Sequence, residues 1–545
     1  MLRQLVEDGK DSRIPVYVME MPPGKRWAWF VALAVERYSS FTLDSTDIGW
    51  KCLPPLDVVM VWHAYLLNPS WYDEDTTRVS HLRDLTNLSN DFPAYLDNPG
   101  ILTTTTPDLS RVEYWEARTS TAYYLLDSGI DKLAYKLINC PSCSGDVSAP
   151  FIGTGGSGYA QSQFSVVCTV CAYEITREKL GLHKLARNLA APSPQTDSTD
   201  LESYLAGTVH TPFAAKDTKQ ASSTKENILA AIDAKGLTGR ISSARDLVIQ
   251  YKSMQSLRAA VSQKIGPKLL DRILSAYTDD RIFSLDLAGA VLRQGSFIQK
   301  MHDLGWAKPS CFDSPADAVV IGRCIARYHA FLDLMVRCPD AFLVPTLDID
   351  LAWHTHQLMA IRYQKDCATL VGRYVDHSDK VDEGKQSAAF DNTYRLWEER
   401  YKAPYTHCGL SAPPPRNNIS HKLLRVINRR RGDVTNTLLP PQFLEPTHPS
   451  DHDAIFTLYD KDPTISLNAR KLRKEQRQRY VKNSKQGAAN TVMDSSIHPH
   501  PFAPRLVAID DPYGCVAESG AVMNETTNRG PNLVVRMPSF LVGRG

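Results

Sequence analysis

The sequence predicts a mainly α-helical protein made of two homologous helical units, with a small β module inserted between them and a weakly structured C-terminal tail. Three observations carry that expectation. First, residues 347–358, L-D-I-D-L-A-W-H-T-H-Q-L, recur as L-D-V-V-M-V-W-H-A-Y-L-L at 56–67. At an offset of 291 the copies share Leu56/Leu347, Asp57/Asp348, Trp62/Trp353, His63/His354 and Leu67/Leu358, and the match continues to Tyr72/Tyr363 and Asp75/Asp366. Upstream, Arg37-Tyr38-x-x-Phe41 meets Arg327-Tyr328-x-x-Phe331 with one residue of slippage. Trp and His are rare, so their recurrence in one frame marks two copies of one unit. Second, C-x-x-C pairs at Cys140/Cys143 and Cys168/Cys171 enclose a Gly/Ser-rich stretch and a strand-like alternation. Third, beyond Pro413 the chain loses the periodic apolar pattern of a core.

Composition narrows the class. A length of 545 residues predicts three or four modules. Apolar content of 43% and charged content of 22% are those of a soluble globular protein. The net charge of +2 provides no global field for nucleic acid or membrane, so any basic site is local. The longest apolar run, 27–35, is about half of a bilayer span, and no membrane span is expected. The opening M-L-R-Q-L-V-E-D places charges where a signal peptide needs apolar residues. Eleven cysteines, four of them in C-x-x-C pairs, point to metal in a reducing compartment, and a cytoplasmic or nuclear location is expected.

The first helical unit is assigned to 13–138. Within it 27–38 carries apolar residues at helical spacing, Trp29, Phe30, Leu33, Ala34 and Tyr38. Pro54-Pro55-Leu56-Asp57 opens the W-H helix with Asp57 as its N-cap, and Asn68-Pro69 closes it. Residues 139–180 form the inserted module. Gln163 to Cys168 alternates like a strand, and Ala172 to Thr176 continues it. Two C-x-x-C knuckles on hairpin turns bring four thiolates into a closed tetrahedral shell, so Cys140, Cys143, Cys168 and Cys171 are the expected ligands of a structural zinc. A redox pair and an iron–sulfur site are the alternatives. G-T-G-G-S-G at 153–158 lacks the Lys-Ser/Thr of a phosphate-binding loop and is read as a flexible hairpin tip.

Residues 191–225, rich in Pro, Ser, Thr, Asp and Ala, are expected to be a linker. A block of short helices follows at 226–305, with Asp271, Arg272 and Arg281 read as charges on solvated faces. The second helical unit is assigned to 314–410. It comprises an amphipathic helix over 317–334, the W-H-T-H helix with Asp348 as its cap, a loop over 375–379, and a helix over 390–401. The tail, 413–545, is basic and largely irregular. It holds Arg429-Arg430-Arg431 and the segment from Arg470 to Lys485, with eight Lys/Arg against one Glu. That segment is either a polyanion contact or nuclear-import signal, or a solvated basic helix.

Asp350, His354 and His377 are candidates for a second metal site. Asp350 and His354 are four apart and share a helix face. His356 lies two residues on, about 200° around the helix, and points elsewhere. His354 also falls on the apolar stripe Leu347, Leu351, Leu358, where a core imidazole bonded to a buried partner is the structural alternative. His63 has Val59 where His354 has Asp350, so Asp350, His356 and His377 belong to the second copy alone. Nucleophilic schemes find no G-x-S-x-G and no H-E-x-x-H.

The W-H-T-H-Q segment, with Tyr363, Asp366, His377-Ser378-Asp379 and Trp397, resembles the glycine-rich domain-containing protein-like family of plants and fungi. The resemblance covers about residues 15–410. It implies a domain of unknown function, in the fungal type with a zinc-ribbon insertion between units, a basic helix and a Cys/Gly-rich tail. Asp511-Pro-Tyr-Gly-Cys515 opens such a tail, but no long glycine-rich segment follows. The family's H-D-D-like run is His377-Ser378-Asp379 here. Some fungal relatives carry the label of a 2-oxoglutarate-dependent sulfonate dioxygenase. That label implies a jelly-roll with an H-x-D/E pair, whereas this chain has H-x-H in helical surroundings. The favoured reading is a non-enzymatic, zinc-ribbon-stapled helical scaffold that binds a protein partner, or nucleic acid through its basic segment. The rival is a metal-dependent enzyme centred on the W-H-T-H unit.

Overall fold

The computed structural model describes residues 2–43, 53–88, 107–127, 129–192, 201–233, 244–308, 311–377 and 381–406, with Leu438, Ser450 and Ala454–Ile455. It is mainly helical, and its few strands are short. The basic clusters at 429–431 and 470–485 lie outside the described residues.

The first unit runs through α1 (Leu2–Asp8), α2 (Val16–Met19), α3 (Pro23–Leu43), α4 (Leu56–Leu66), α5 (Pro69–Arg78), α6 (Asp84–Leu88), α7 (Leu109–Thr119) and α8 (Gly129–Lys132). The α3 helix is apolar for most of its circumference because it is enclosed on several sides. The W-H helix α4 packs against it, and Trp29, Phe30, Leu33, Val58, Val61, Trp62 and Tyr65 fill one core.

The inserted module is two antiparallel hairpins, β1 (Tyr135–Asn139) with β2 (Asp146–Pro150) and β3 (Ser165–Val167) with β4 (Glu174–Thr176). Val147, Phe151, Tyr159, Phe164 and Ile175 are buried in the same core as α3. Glu36 on α3 pairs with Lys136 of β1 at 2.5 Å and with Arg281 at 2.6 Å. Tyr159 donates to Asp280 at 2.6 Å. The glycine-rich stretch is a tied turn: the Gln161 side-chain oxygen accepts from the amides of Gly153 (2.8 Å) and Gly158 (2.7 Å). A Cβ on Gly158 would stand 2.4 Å from the Gly153 nitrogen, so only glycine fits there.

Next come α9 (Arg177–Ala190), α10 (Thr218–Asp233), α11 (Ala244–Tyr251), α12 (Met254–Val261) and α13 (Pro267–Ser275). Leu182, Leu185, Ile228, Ile232, Leu247, Leu257, Val261 and Ile273 form a separate core. Part of the stretch expected to be a linker is packed. Tyr204, Leu205 and Val209 are buried, and Glu74 of α5 accepts from the amides of Gly207, Thr208 and Val209 at 2.7, 3.1 and 3.2 Å. Few large apolar residues sufficed because a buried carboxylate satisfies the turn's backbone. Asp271 and Arg281 are likewise not solvated charges. Asp271 is buried against Arg258 at 2.5 Å, and Arg281 is held between Glu36 and Asp279. Helix α14 (Leu287–Asp303) then packs across α3 and α4, completing the first unit's core with Leu287, Ala290 and Val291.

The second unit contains α15 (Pro315–Arg337), α16 (Leu347–Gln357), α17 (Ala360–Leu370) and α18 (Glu383–Tyr401). Helix α15 starts earlier than its apolar pattern because Ser314 and Asp317 form a reciprocal capping box. The repeat recurs contact for contact. Trp62 Nε1 donates to Tyr72 Oη at 3.4 Å, and Trp353 Nε1 to Tyr363 Oη at 2.9 Å. Each tyrosine hydroxyl then donates to a backbone carbonyl, Leu85 at 2.6 Å and Val375 at 2.8 Å. Arg37 pairs with Asp57 at 3.0 Å, and Arg327 with Asp348 at 2.6 Å. The two guanidiniums lie over Trp115 and Trp397. Asp57 and Asp348 are therefore not N-caps. Pro55 and Thr346 occupy the cap positions, and the carboxylates in the first turn face buried arginines instead.

Past 406 the described residues of the expected tail return to this unit. Leu438 is buried in its core, Ser450 accepts from Gln386 and donates to Pro345, and β6 (Ala454–Ile455) pairs in parallel with β5 (Val381–Asp382). No helix among the described residues is long and apolar enough to cross a membrane.

Candidate metal centres

The structure brings together both expected groups of ligands. Cys140 and Cys143 follow β1, and Cys168 and Cys171 follow β3. The knuckles are built alike: Cys140 N–H donates to Gly145 O and Ser144 N–H to Cys140 O, while Cys168 N–H donates to Tyr173 O and Ala172 N–H to Cys168 O, all at 2.9 Å. The residue after each C-x-x-C takes a left-handed backbone, φ +59° at Ser144 and +57° at Ala172, which turns both sulfurs of a pair inward.

Across the pairs, Cys140 and Cys171 sulfurs are 3.7 Å apart, as are those of Cys143 and Cys168. Four thiolates about 2.3 Å from one zinc stand about 3.8 Å from each other, so the cluster has the size of a tetrahedral shell. All eight described cysteines are thiols. Burial pushes the Cys140 thiol up to about 12, whereas amides of Cys171 and Val170 pull Cys168 down to about 7. The two amides thus favour the thiolate form at Cys168, the form that binds a cation.

The second group lies in the second unit. Asp350 and His354 are one turn apart on α16, and the loop after α17 carries His377 to them. His354 Nε2 is 3.4 Å from Asp350 Oδ1 and 3.3 Å from His377 Nε2, and His377 Nε2 is 3.6 Å from the same carboxylate oxygen. All three side chains are buried. Phe297 of α14 packs on the His354 ring at 4.5 Å, and Trp353 meets His377 edge-on at 5.0 Å. His356 points elsewhere, to Tyr328 at 3.0 Å and Asp366 at 3.2 Å. One contributor was invisible in the sequence: Ser450 Oγ donates to Asp350 Oδ2 at 2.6 Å. A lone serine one hundred residues downstream, in an irregular stretch, carries no sequence signal. In the first unit Val59 replaces Asp350, so half-buried His63 has no carboxylate one turn before it on α4.

Comparison with known proteins finds similarity over one region of the chain. Residues 271–366 match the family model described as Glycine-rich domain-containing protein-like, so the chain carries that region, from α13 through most of α17. Asp350 and His354 lie inside it, and His377 and Ser450 lie beyond it. Two Arabidopsis thaliana proteins are similar over short stretches of the chain. Glycine-rich domain-containing protein 2 is 39% identical over 99 residues, 17% of this chain and 13% of that protein. Glycine-rich domain-containing protein 1 is 34% identical over 132 residues, 23% of this chain and 15% of that protein. The matched stretch thus spans well under a fifth of the length of these relatives. No solved structure matches.

Proposed function

We propose that the chain is a helical scaffold stapled by a structural zinc ribbon and built for binding rather than catalysis. One observation carries this reading: the four-cysteine group sits in a module whose own apolar residues are part of the α3–α4 core. An ion there would stabilise the first unit as a whole, since metal binding and folding are coupled. The ribbon leaves four large apolar side chains exposed, Tyr135, Leu137, Val167 and Val170, which suit a protein partner. The basic segment 470–485 is a second route to binding, through polyanion contact. Four unoxidised thiols support a reducing compartment, cytoplasmic or nuclear, as the location.

Elemental analysis combined with thermal melting tests the reading. Zinc should co-purify with the full chain, and Cys143→Ser should release the ribbon's ion and lower the melting temperature. Loss of that ion with unchanged melting would remove the structural role.

A further inference from the structure

Asp350, His354 and His377 present three electron-pair donors to a single point. For a triangle with sides of 3.3, 3.4 and 3.6 Å, the equidistant point lies about 2.0 Å from each corner. Zinc bonds to imidazole nitrogen and carboxylate oxygen at about 2.0–2.2 Å, so an ion fits at or just above that plane. The size of the triangle also discriminates between geometries. Ligands cis to each other in an octahedron at about 2.1 Å are about 3.0 Å apart, whereas tetrahedral ligands are about 3.4 Å apart. The observed spacings match the tetrahedral case.

The surroundings are those of a built site. Ser450 donates to Asp350 Oδ2 while Oδ1 faces the two imidazoles, an outer-shell hydrogen bond of the kind that orients a ligating carboxylate. Ser450 is itself held by Gln386 and Pro345. Phe297 and Trp353 wall the two imidazoles. The repeat supplies an internal comparison. Both copies keep the Trp–Tyr and Arg–Asp contacts that shape the W-H helix, and the first copy keeps them with Val59 at the position of Asp350, so those contacts do not call for that carboxylate. A buried carboxylate is costly, and the first copy does without it by placing Val59 there.

We infer that Asp350, His354 and His377 bind one divalent ion of the zinc class, in a mononuclear site separate from the ribbon and confined to the second unit. Three protein ligands leave the fourth position to a small oxygen donor such as water. The scaffold reading does not depend on this site, since the ribbon can hold its ion whether or not this cluster holds one.

The test uses the full-length protein, stripped by chelator under reducing conditions and reconstituted with Co(II). The wild type should take up one ion with thiolate-to-metal charge-transfer absorption and a second without it. Asp350→Asn and His377→Gln should each lose only the second, Cys143→Ser only the first, and His63→Gln neither. Ser450→Ala should weaken the second ion about 10–100-fold, the size of an outer-shell effect. Should the buried variants fail to fold, the wild-type cobalt titration decides alone. Saturation with only the thiolate-bound ion, or retention of both ions by folded Asp350→Asn, would overturn the proposal.

Discussion

Gln364 donates to both carboxylate oxygens of Asp73 at 3.1 Å, and the two residues occupy the same position of the internal repeat, 291 residues apart. Contact between equivalent positions is what a two-fold relation between units produces. The packed stretch after α9 closes the same seam. His210 reaches Asp73 at 2.9 Å and meets Tyr374 edge-on at 4.5 Å, while Arg272 lies between Glu74 at 3.2 Å and Asp376 at 3.9 Å. Gln364→Ala should therefore cost about 1 kcal/mol, the usual net worth of such a hydrogen bond. A urea midpoint unchanged by the substitution would show the seam to be held elsewhere.

The Arg327–Asp348 pair is fully enclosed, and Arg37–Asp57 is buried. Asp348→Asn should destabilise by about 3–5 kcal/mol because it leaves the guanidinium buried without its counter-charge. The double change Arg327→Met with Asp348→Leu should cost much less. Chemical denaturation of both variants checks the order, and a milder single change would contradict it.

Glu36 ties the ribbon to α3. Burial opposes its ionisation, but Arg281 and Lys136 more than offset that and hold its carboxyl below the usual range. Glu36→Gln should cost roughly 3–5 kcal/mol and increase the protease sensitivity of the ribbon. Limited proteolysis reads the second effect directly.

Chelation should propagate beyond the ribbon. Val147, Phe151, Tyr159 and Phe164 share a core with Trp29 and Trp62, so removing the ribbon's ion should change the tryptophan signal of the first unit. Near-ultraviolet circular dichroism before and after chelator treatment checks this. A tryptophan spectrum indifferent to chelation would mean the module is energetically separate.

Stability should fall in mild acid. Burial lowers the pKa of His63 from 6.5 to about 4 and also lowers those of His183 and His329. The unfolded chain thus binds more protons between those values, so the penalty is absent above about pH 6.5 and grows as pH falls toward 4. For His63 it reaches at most about 3 kcal/mol at 1.36 kcal/mol per pKa unit, less to the extent that the half-buried ring keeps water contact. Melting temperatures measured across pH 4–7 should decline with acid, and His63→Gln should flatten the curve.

The sequence alone determined the repeat and the ribbon because their contacts are local. Trp353 meets Tyr363 ten residues on, Arg327 meets Asp348 within two helices, and each C-x-x-C knuckle closes on its own turn. Apolar periodicity and rare residue pairs record such contacts directly. Tertiary structure alone decided which charges are buried and what completes the second site. Arg281 reaches Glu36 across 245 residues, Glu74 caps the 207–209 turn, and Ser450 reaches Asp350 across 100 residues. A segment's own pattern reports which of its faces is apolar. Whether a polar residue is solvated or enclosed depends on what distant chain covers it, and only folding brings that chain into place.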